Sequence, residues 1–269
     1  MALRRLGFDP WCYEIEPDCI ATLRAAGHRA VRVDLRRHAW DEAWRGEVGV
    51  LHGSPPCQPW SASGKGHGRL DARDGMPWML RAVEALRPWL VTVENVEGLT
   101  YRKHADYLSW FVESLAALGY VGEWRVLNAA DYGVPQTRKR LIIVGRLEGK
   151  VCWPRTTHAR APVGDDELPW VSMADALGWP RLNGHTLHTN TDQRDGRRQT
   201  RSVDMPTPTI TAKSGGQWVL QPGSFADGRA GGVRQAPGLR PRPRARPDGG
   251  ARQGRGGVGV ASAGDHGER

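Results

Sequence analysis

Between residues 1 and 150, short valine-rich runs alternate with stretches of helical periodicity, and this alternation admits very few folds. HRAVRVDL (28–35), EVGVLHGS (47–54), WLVTVENV (89–96) and KRLIIVGRL (139–147) carry the β-branched and apolar residues that suit a buried strand. YVGEWRVLNA (120–129) reads as a further late strand. Between them, PDCIATLRAAG (17–27) has Pro17 at a first helical turn and Gly27 at its end. PWMLRAVEALRP (77–88) sets Met79, Val83 and Leu86 on one helical face before Pro88 stops it. HADYLSWFVESLAALG (104–119) does the same with Leu108, Phe111, Leu115 and Leu118, closed by Gly119. The pattern predicts an α/β fold with a mostly parallel sheet. Ligands of such sheets bind at the carboxyl ends of the strands. Three polar or reactive spots fall at or just after predicted strand ends: Asp34, the loop holding Cys57, and Glu94–Asn95.

After residue 150 the texture changes. Residues 151–220 are rich in proline, tryptophan and polar residues, with SMADALGW (172–179) as the one obvious helix, so a small loop-rich region is expected. From 221 to 269 the chain is Gly, Arg, Ala and Pro with Phe225 as its single aromatic. Such a composition buries too little apolar surface to offset the entropy of ordering, so a disordered tail is expected. It is also the composition of a GC-rich gene read out of frame. The chain's formal charge is +9. Nine Arg and four Asp or Glu lie in the tail, so the tail carries 9 − 4 = +5 and the body +4. Charge alone is therefore weak testimony for a nucleic-acid partner. Cysteines at 12, 19, 57 and 152 lack C-x-x-C spacing, which argues against a zinc site or a disulfide framework. No run of about 18 apolar residues is present, and the start is too charged for a signal peptide, so a cytoplasmic chain without a membrane span is expected.

SPPCQPWS (54–61) holds the most reactive side chain in an unusual place. Prolines 55 and 56 exclude helix and central strand, so Cys57 sits on a stiff irregular loop at the mouth of the predicted sheet. A thiol there can be a nucleophile where its surroundings favour the thiolate. Glu94, at the end of the next clear strand, offers an acid or base, or a plain solvated carboxylate. QTRKR (136–140) puts Arg138 and Arg140 on one side of an extended segment, suited to a carbonyl, phosphate or carboxylate, or to an exposed basic edge. GKGHG (64–68) lacks the spacing of a phosphate-binding loop.

GSPPCQPWS, ENV (94–96) and QTRKR together, in this order, resemble the signature motifs of the cytosine-C5 DNA methyltransferases. DYGVPQTR (131–138) is similar to the stretch leading into that family's arginine motif, and RSVDMPTPTIT (201–211) to a later P-x-P-T-I-T segment. The resemblance implies a Rossmann-like methyltransferase domain over 1–150, a small target-recognition region over 151–220, and S-adenosylmethionine as methyl donor. It implies that Cys57 attacks C6 of a cytosine flipped out of double-stranded DNA, since these ring atoms are inaccessible within the stack. Glu94 would hold the N3 and amino edge and donate a proton, Arg140 would hold O2, and Arg138 would support the same pocket. CYEIEP (12–17) looks like the family's second motif, giving Glu14 to the ribose hydroxyls and Ile15 to the adenine ring. VDL (33–35) matches the third, giving Asp34 to the adenine amino group beside Leu35. Gln58, Ser61 and Lys65 in the cysteine loop, and Arg201, are the implied nucleic-acid contacts.

Two departures accompany the resemblance. The family's opening strand and F-x-G-x-G turn do not appear, because MALRRLGFDP looks like the helix after that turn, and a closing Q-x-G-N segment is likewise absent. The expectation is a sheet lacking its first strand, and a chain short of full activity. The family's usual setting is restriction–modification or phage self-protection. A non-catalytic DNA-binding remnant and a tRNA cytosine methyltransferase are the alternative readings.

Overall fold

The structure, a computed structural model, describes residues 2–56, 74–179, 186–188, 200–209, 219–221 and 258–262. Cys57, Gln58, Ser61 and Lys65 lie outside the described residues. In chain order the elements are α1 (Ala2–Arg5), β1 (Asp9–Glu14), α2 (Pro17–Ala25), β2 (Arg29–Arg32), β3 (Val48–Gly53), α3 (Met76–Leu86), β4 (Leu90–Val96), α4 (Ala105–Ala117) and β5 (Val121–Asn128). They continue as β6 (Gln136–Thr137), β7 (Lys139–Arg146), β8 (His158–Ala159), β9 (Leu168–Pro169) and α5 (Met173–Leu177). The last are β10 (Thr186–His188), β11 (Thr200–Ser202), β12 (Thr207–Pro208), β13 (Val219–Gln221) and β14 (Val258–Ser262).

By its internal contacts the chain divides into two units. One is Met1–Leu127 with Lys139–Pro154 and Gly254–Arg269; the other is Asn128–Arg138 with Arg155–Gln253. The division is therefore not the linear one expected at residues 150 and 220. Residues 128–138 group with the later segment because β6 pairs in parallel with β12, Thr207 opposite Gln136 and Pro208 opposite Thr137.

The first unit is built on a seven-stranded sheet in the order β2-β1-β14-β3-β4-β7-β5. β1 and β2 are parallel, as are β3 and β4, while β14 runs antiparallel to both β1 and β3. It follows that β2, β1, β3 and β4 share one direction, and the expected α/β architecture is present. β7 returns antiparallel along β4. Met79, Val83 and Leu86 of α3 and Leu108, Phe111 and Leu115 of α4 are buried against Leu51, Val91, Val93, Leu141 and Ile143 of the sheet. Close packing here leaves no room for a side chain at Gly53, where a Cβ would stand 2.2 Å from the Met79 sulfur.

The tail is where expectation and structure part. Five residues of the stretch expected to be disordered form β14, which lies between β1 and β3 in the sheet. Val258–Ser262 pairs with Tyr13 back to Asp9 on one side and with Gly53 back to Val48 on the other. The cause is the obligation of buried backbone groups to find partners. Two facing strand edges offer two ladders at once, and a short extended VGVAS segment can serve both. Whole-tail composition hid this, since five residues hardly change an average over 49.

The second unit is made of short pieces. Its sheets are β11-β10-β13, β12-β6 and β8-β9. The expected helix is shorter than read, spanning α5, and starts with a capping box in which Ser172 and Asp175 bond each other's backbone. Val203 is fully buried, its carbonyl accepting from the Ala174 N–H at 3.1 Å.

Candidate active site

Side chains on a strand alternate between faces, so His52 and Ser54 at the end of β3 share a face, as do Thr92 and Glu94 on β4. β3 and β4 are in parallel register with His52 opposite Thr92, which brings the two pairs together at the carboxyl edge. His52 Nδ1 lies 2.9 Å from Thr92 Oγ1. Ser54 Oγ donates to Glu94 Oε2 at 2.6 Å. The antiparallel return of β7 starts at this same edge, opposite Val96, and its Arg140 Nε meets Glu94 Oε1 at 2.8 Å. Each carboxylate oxygen of Glu94 is thus engaged by a side chain from a neighbouring strand or its extension. The pair is shielded on most sides, the side chains being 26% and 22% exposed. Burial pushes the His52 pKa down, opposed by the charge of Glu94. The imidazole behind the carboxylate is therefore neutral at neutral pH. On the opposite face, Asn95 is buried, its Oδ1 accepting from the Val96 N–H at 2.8 Å.

The proline loop leaves β3 directly above this carboxylate. Pro55 is buried. It packs where α3 begins, since a Cβ on Gly75 would stand 2.6 Å from Pro55 Cβ and 3.0 Å from Pro56 Cδ. Asp74, itself buried, fixes that helix start by accepting from the Met76 N–H at 3.1 Å and from the Tyr107 hydroxyl. Two prolines and a glycine contact hold the chain rigid up to Pro56, and Cys57 is the next residue.

A pair of carboxylates stands at the carboxyl ends of β1 and β2. Glu14, only 6% exposed, accepts through Oε1 from the N–H groups of Ile15 at 2.7 Å and Glu16 at 3.1 Å. Its Oε2 has no partner among the described residues. Asp34 is held differently. Arg36 donates from Nε and Nη2 at 2.8 and 2.6 Å, and from its backbone N–H at 3.0 Å. Those hydrogen bonds, with the Arg36 charge, bring the Asp34 pKa down from 3.8 to about 2. Ile15 and Leu35 are half-buried, Leu35 against the core. A buried carboxylate with a spare oxygen suits a vicinal diol, so Glu14 fits the ribose of S-adenosylmethionine. Asp34 fits an amino group only by giving up part of its bond with Arg36.

In the second unit the arginine-motif stretch and the later threonine-rich segment are stitched together. Thr207 N–H donates to the Pro135 carbonyl at 2.9 Å, and Thr209 Oγ1 to the Thr137 carbonyl at 3.0 Å. Arg201 Nη1 donates to Thr137 Oγ1 at 3.0 Å, which places it in the packing of that stretch. The Arg138 backbone bridges to Asn128 Oδ1 and Ala129 N–H.

These motifs now meet the chain's relatives. The model of the C-5 cytosine-specific DNA methylase family matches residues 1–204. The chain belongs to that family. It is 38% identical over 136 residues to the Type II methyltransferase M.NaeI of Lentzea aerocolonigenes, covering 49% of this chain and 32% of that protein. It is 37% identical over 147 residues to M.NgoMIV of Neisseria gonorrhoeae, covering 54% of this chain and 46% of the relative. A solved structure of DNMT2 from Spodoptera frugiperda superposes with a TM-score of 0.44 at 17% identity, over 61% of this chain and 50% of that one. The chain spans about a third to a half of the length of the two Type II relatives. For a C5 methylase, Glu94 and Arg140 were legible in the motifs. Ser54, His52 and Thr92 were not assigned a role, although strand alternation puts them on the face of Glu94.

Proposed function

We propose that the chain transfers a methyl group to C5 of a cytosine in double-stranded DNA, with S-adenosylmethionine as donor. The observation that carries the reading is Glu94, fixed between Arg140 and Ser54, and Ser54 stands three residues before Cys57 in the sequence. Cys57 adds through sulfur to C6 of an extruded cytosine. Glu94 gives a proton at N3 as that bond forms, so that charge does not build on the ring. Arg140 holds O2, and Arg138 supports it. Together these residues make C5 nucleophilic. Loss of the C5 proton to solvent, with return of the N3 proton to Glu94, afterwards reforms the ring double bond and expels the thiolate. S-adenosylmethionine supplies an electrophilic methyl group when bound; Glu14 and Asp34, with Ile15 and Leu35, are the residues that hold it. Gln58, Ser61, Lys65 and Arg201 are assigned to the nucleic acid. A role in protecting DNA against a restriction enzyme, or in phage self-protection, follows from this chemistry.

The test is covalent trapping. With S-adenosylmethionine and duplex DNA carrying 5-fluorocytosine, proton loss from C5 is blocked and the adduct should accumulate, whereas Cys57→Ser should give none. An adduct that survives Cys57→Ser removes the cysteine as nucleophile, and preferential trapping on tRNA moves the substrate from DNA to RNA.

A further inference from the structure

Among the described residues Glu94 has a side-chain partner on each carboxylate oxygen, from separate parts of the sheet edge. Arg140 bonds Oε1. The same guanidinium carries further N–H donors that can meet the cytosine O2 while this bond is kept. Ser54 bonds Oε2. It stands three residues before Cys57 in the sequence. Pro55 and Pro56 cannot slacken between them, packed as they are against the start of α3. Behind Glu94 on the same face, the neutral His52 is turned to Thr92 and offers no rival cation.

We propose that Ser54 is a positioning residue: its hydroxyl ties Glu94 to the end of β3, three residues before Cys57 in the sequence, so that the carboxyl group keeps its aim at the base. This rests on the reading of Glu94 and Cys57 given above. The hydrogen bond spans 40 residues of sequence and ties a hydroxyl just beyond β3 to a carboxylate on β4. A misplacement of about 1 Å in such a pair is enough to cost about a hundredfold in rate.

Two measurements on the full chain test it. Isotope-edited infrared spectra with carboxyl-labelled glutamate, differenced against Glu94→Gln, isolate the Glu94 carboxylate band without any turnover. Ser54→Ala should move that band and Ser54→Thr should restore it; a band identical in wild type and Ser54→Ala overturns the proposal. The second measurement is exchange of the cytosine C5 hydrogen with heavy water in unmethylated genomic DNA. Addition of sulfur to C6 lets C5 take up a solvent proton, and reversal returns the thiolate and the exchanged base, so no methyl donor is required. Ser54→Ala should lower the exchange rate at saturating DNA by about tenfold, as expected for a lost charge-assisted hydrogen bond. The half-saturating DNA concentration should not change, and Ser54→Thr should recover the rate. A wild-type rate in Ser54→Ala alongside a dead Glu94→Gln overturns the role of Ser54 and leaves the catalytic reading standing. Full exchange in Glu94→Gln, or none in the wild type, overturns the catalytic reading, and this proposal falls with it.

Discussion

Three acidic side chains and their partners stand at the carboxyl ends of one sheet, Glu94 in one region and Glu14 with Asp34 in another, and the two regions are held in opposite ways. Glu94 is satisfied from afar, by Ser54 across 40 residues and by Arg140 across 46, counting along the chain. Glu14 and Asp34 are satisfied from within two residues, by the N–H groups of Ile15 and Glu16 and by Arg36. A long-range clamp exists only when β3, β4 and β7 are already in register. A local one forms wherever its turn forms. The first suits a group that must meet a nucleophile at fixed distance; the second suits a ligand contact whose position can adjust.

The largest effect should come from Cys57, the proposed nucleophile. Cys57→Ser should lower methyl transfer by about a thousandfold or more, the scale on which removal of a covalent nucleophile registers. Radioactive methyl incorporation into DNA measures it. Appreciable methylation by the variant would mean that the site at β3 and β4 is not where the chemistry happens.

Next is the fold on which both regions depend. Deleting residues 254–269 removes β14 and opens facing edges on β1 and β3. The loss should amount to about 4 kcal/mol or more, the range of buried-network disruptions, read as a lower urea midpoint. If the midpoint does not move, β14 does not occupy the sheet in solution. Arg140→Ala then separates the regions. It should slow transfer by about a hundredfold, since it removes a donor aimed at developing charge, while affinity for S-adenosylmethionine stays put. A variant that loses cofactor affinity instead would show that the two regions do not act separately.

The sequence disclosed these regions unequally, for physical reasons. Strand ends, helix faces such as Met79–Val83–Leu86, and the residues Glu94 and Arg140 were readable because periodicity and motif order are local properties. Asp34 was readable as a strand-end acid, yet its capture by Arg36, two residues on, depends on the turn between them and leaves no mark in the sequence. Ser54 needed the register of two strands before its hydroxyl had a target. β14 was the least legible. A strand that pairs on both edges draws its stability from its neighbours, so five ordinary residues inside a glycine- and arginine-rich tail carry almost no signal of their own. The assignment of 128–138 to the second unit depended likewise on a pairing with residues 207–208.

The smallest effects belong to Arg36, and they test the local clamp alone. If Asp34 must loosen its hold on Arg36 to accept from the donor's amino group, Arg36→Ala should tighten S-adenosylmethionine binding by about twofold to fivefold, the worth of an exposed pair. Calorimetric titration reads it directly, and weaker binding would show that Arg36 itself contacts the ligand. The same variant carries a pH signature whose sign is fixed. Asp34 has its pKa lowered to about 2 in the folded chain from 3.8. Its bond to Arg36 therefore contributes stability that is fully present above pH 3.8 and is lost as the pH falls towards 2. Wild type and Arg36→Ala should differ in urea midpoint at pH 5 and converge at pH 2. A difference that persists unchanged at pH 2 cannot come from the ionised carboxylate. It would instead reassign Arg36 to packing, leaving Asp34 as available to a ligand as Glu14 is through its spare oxygen.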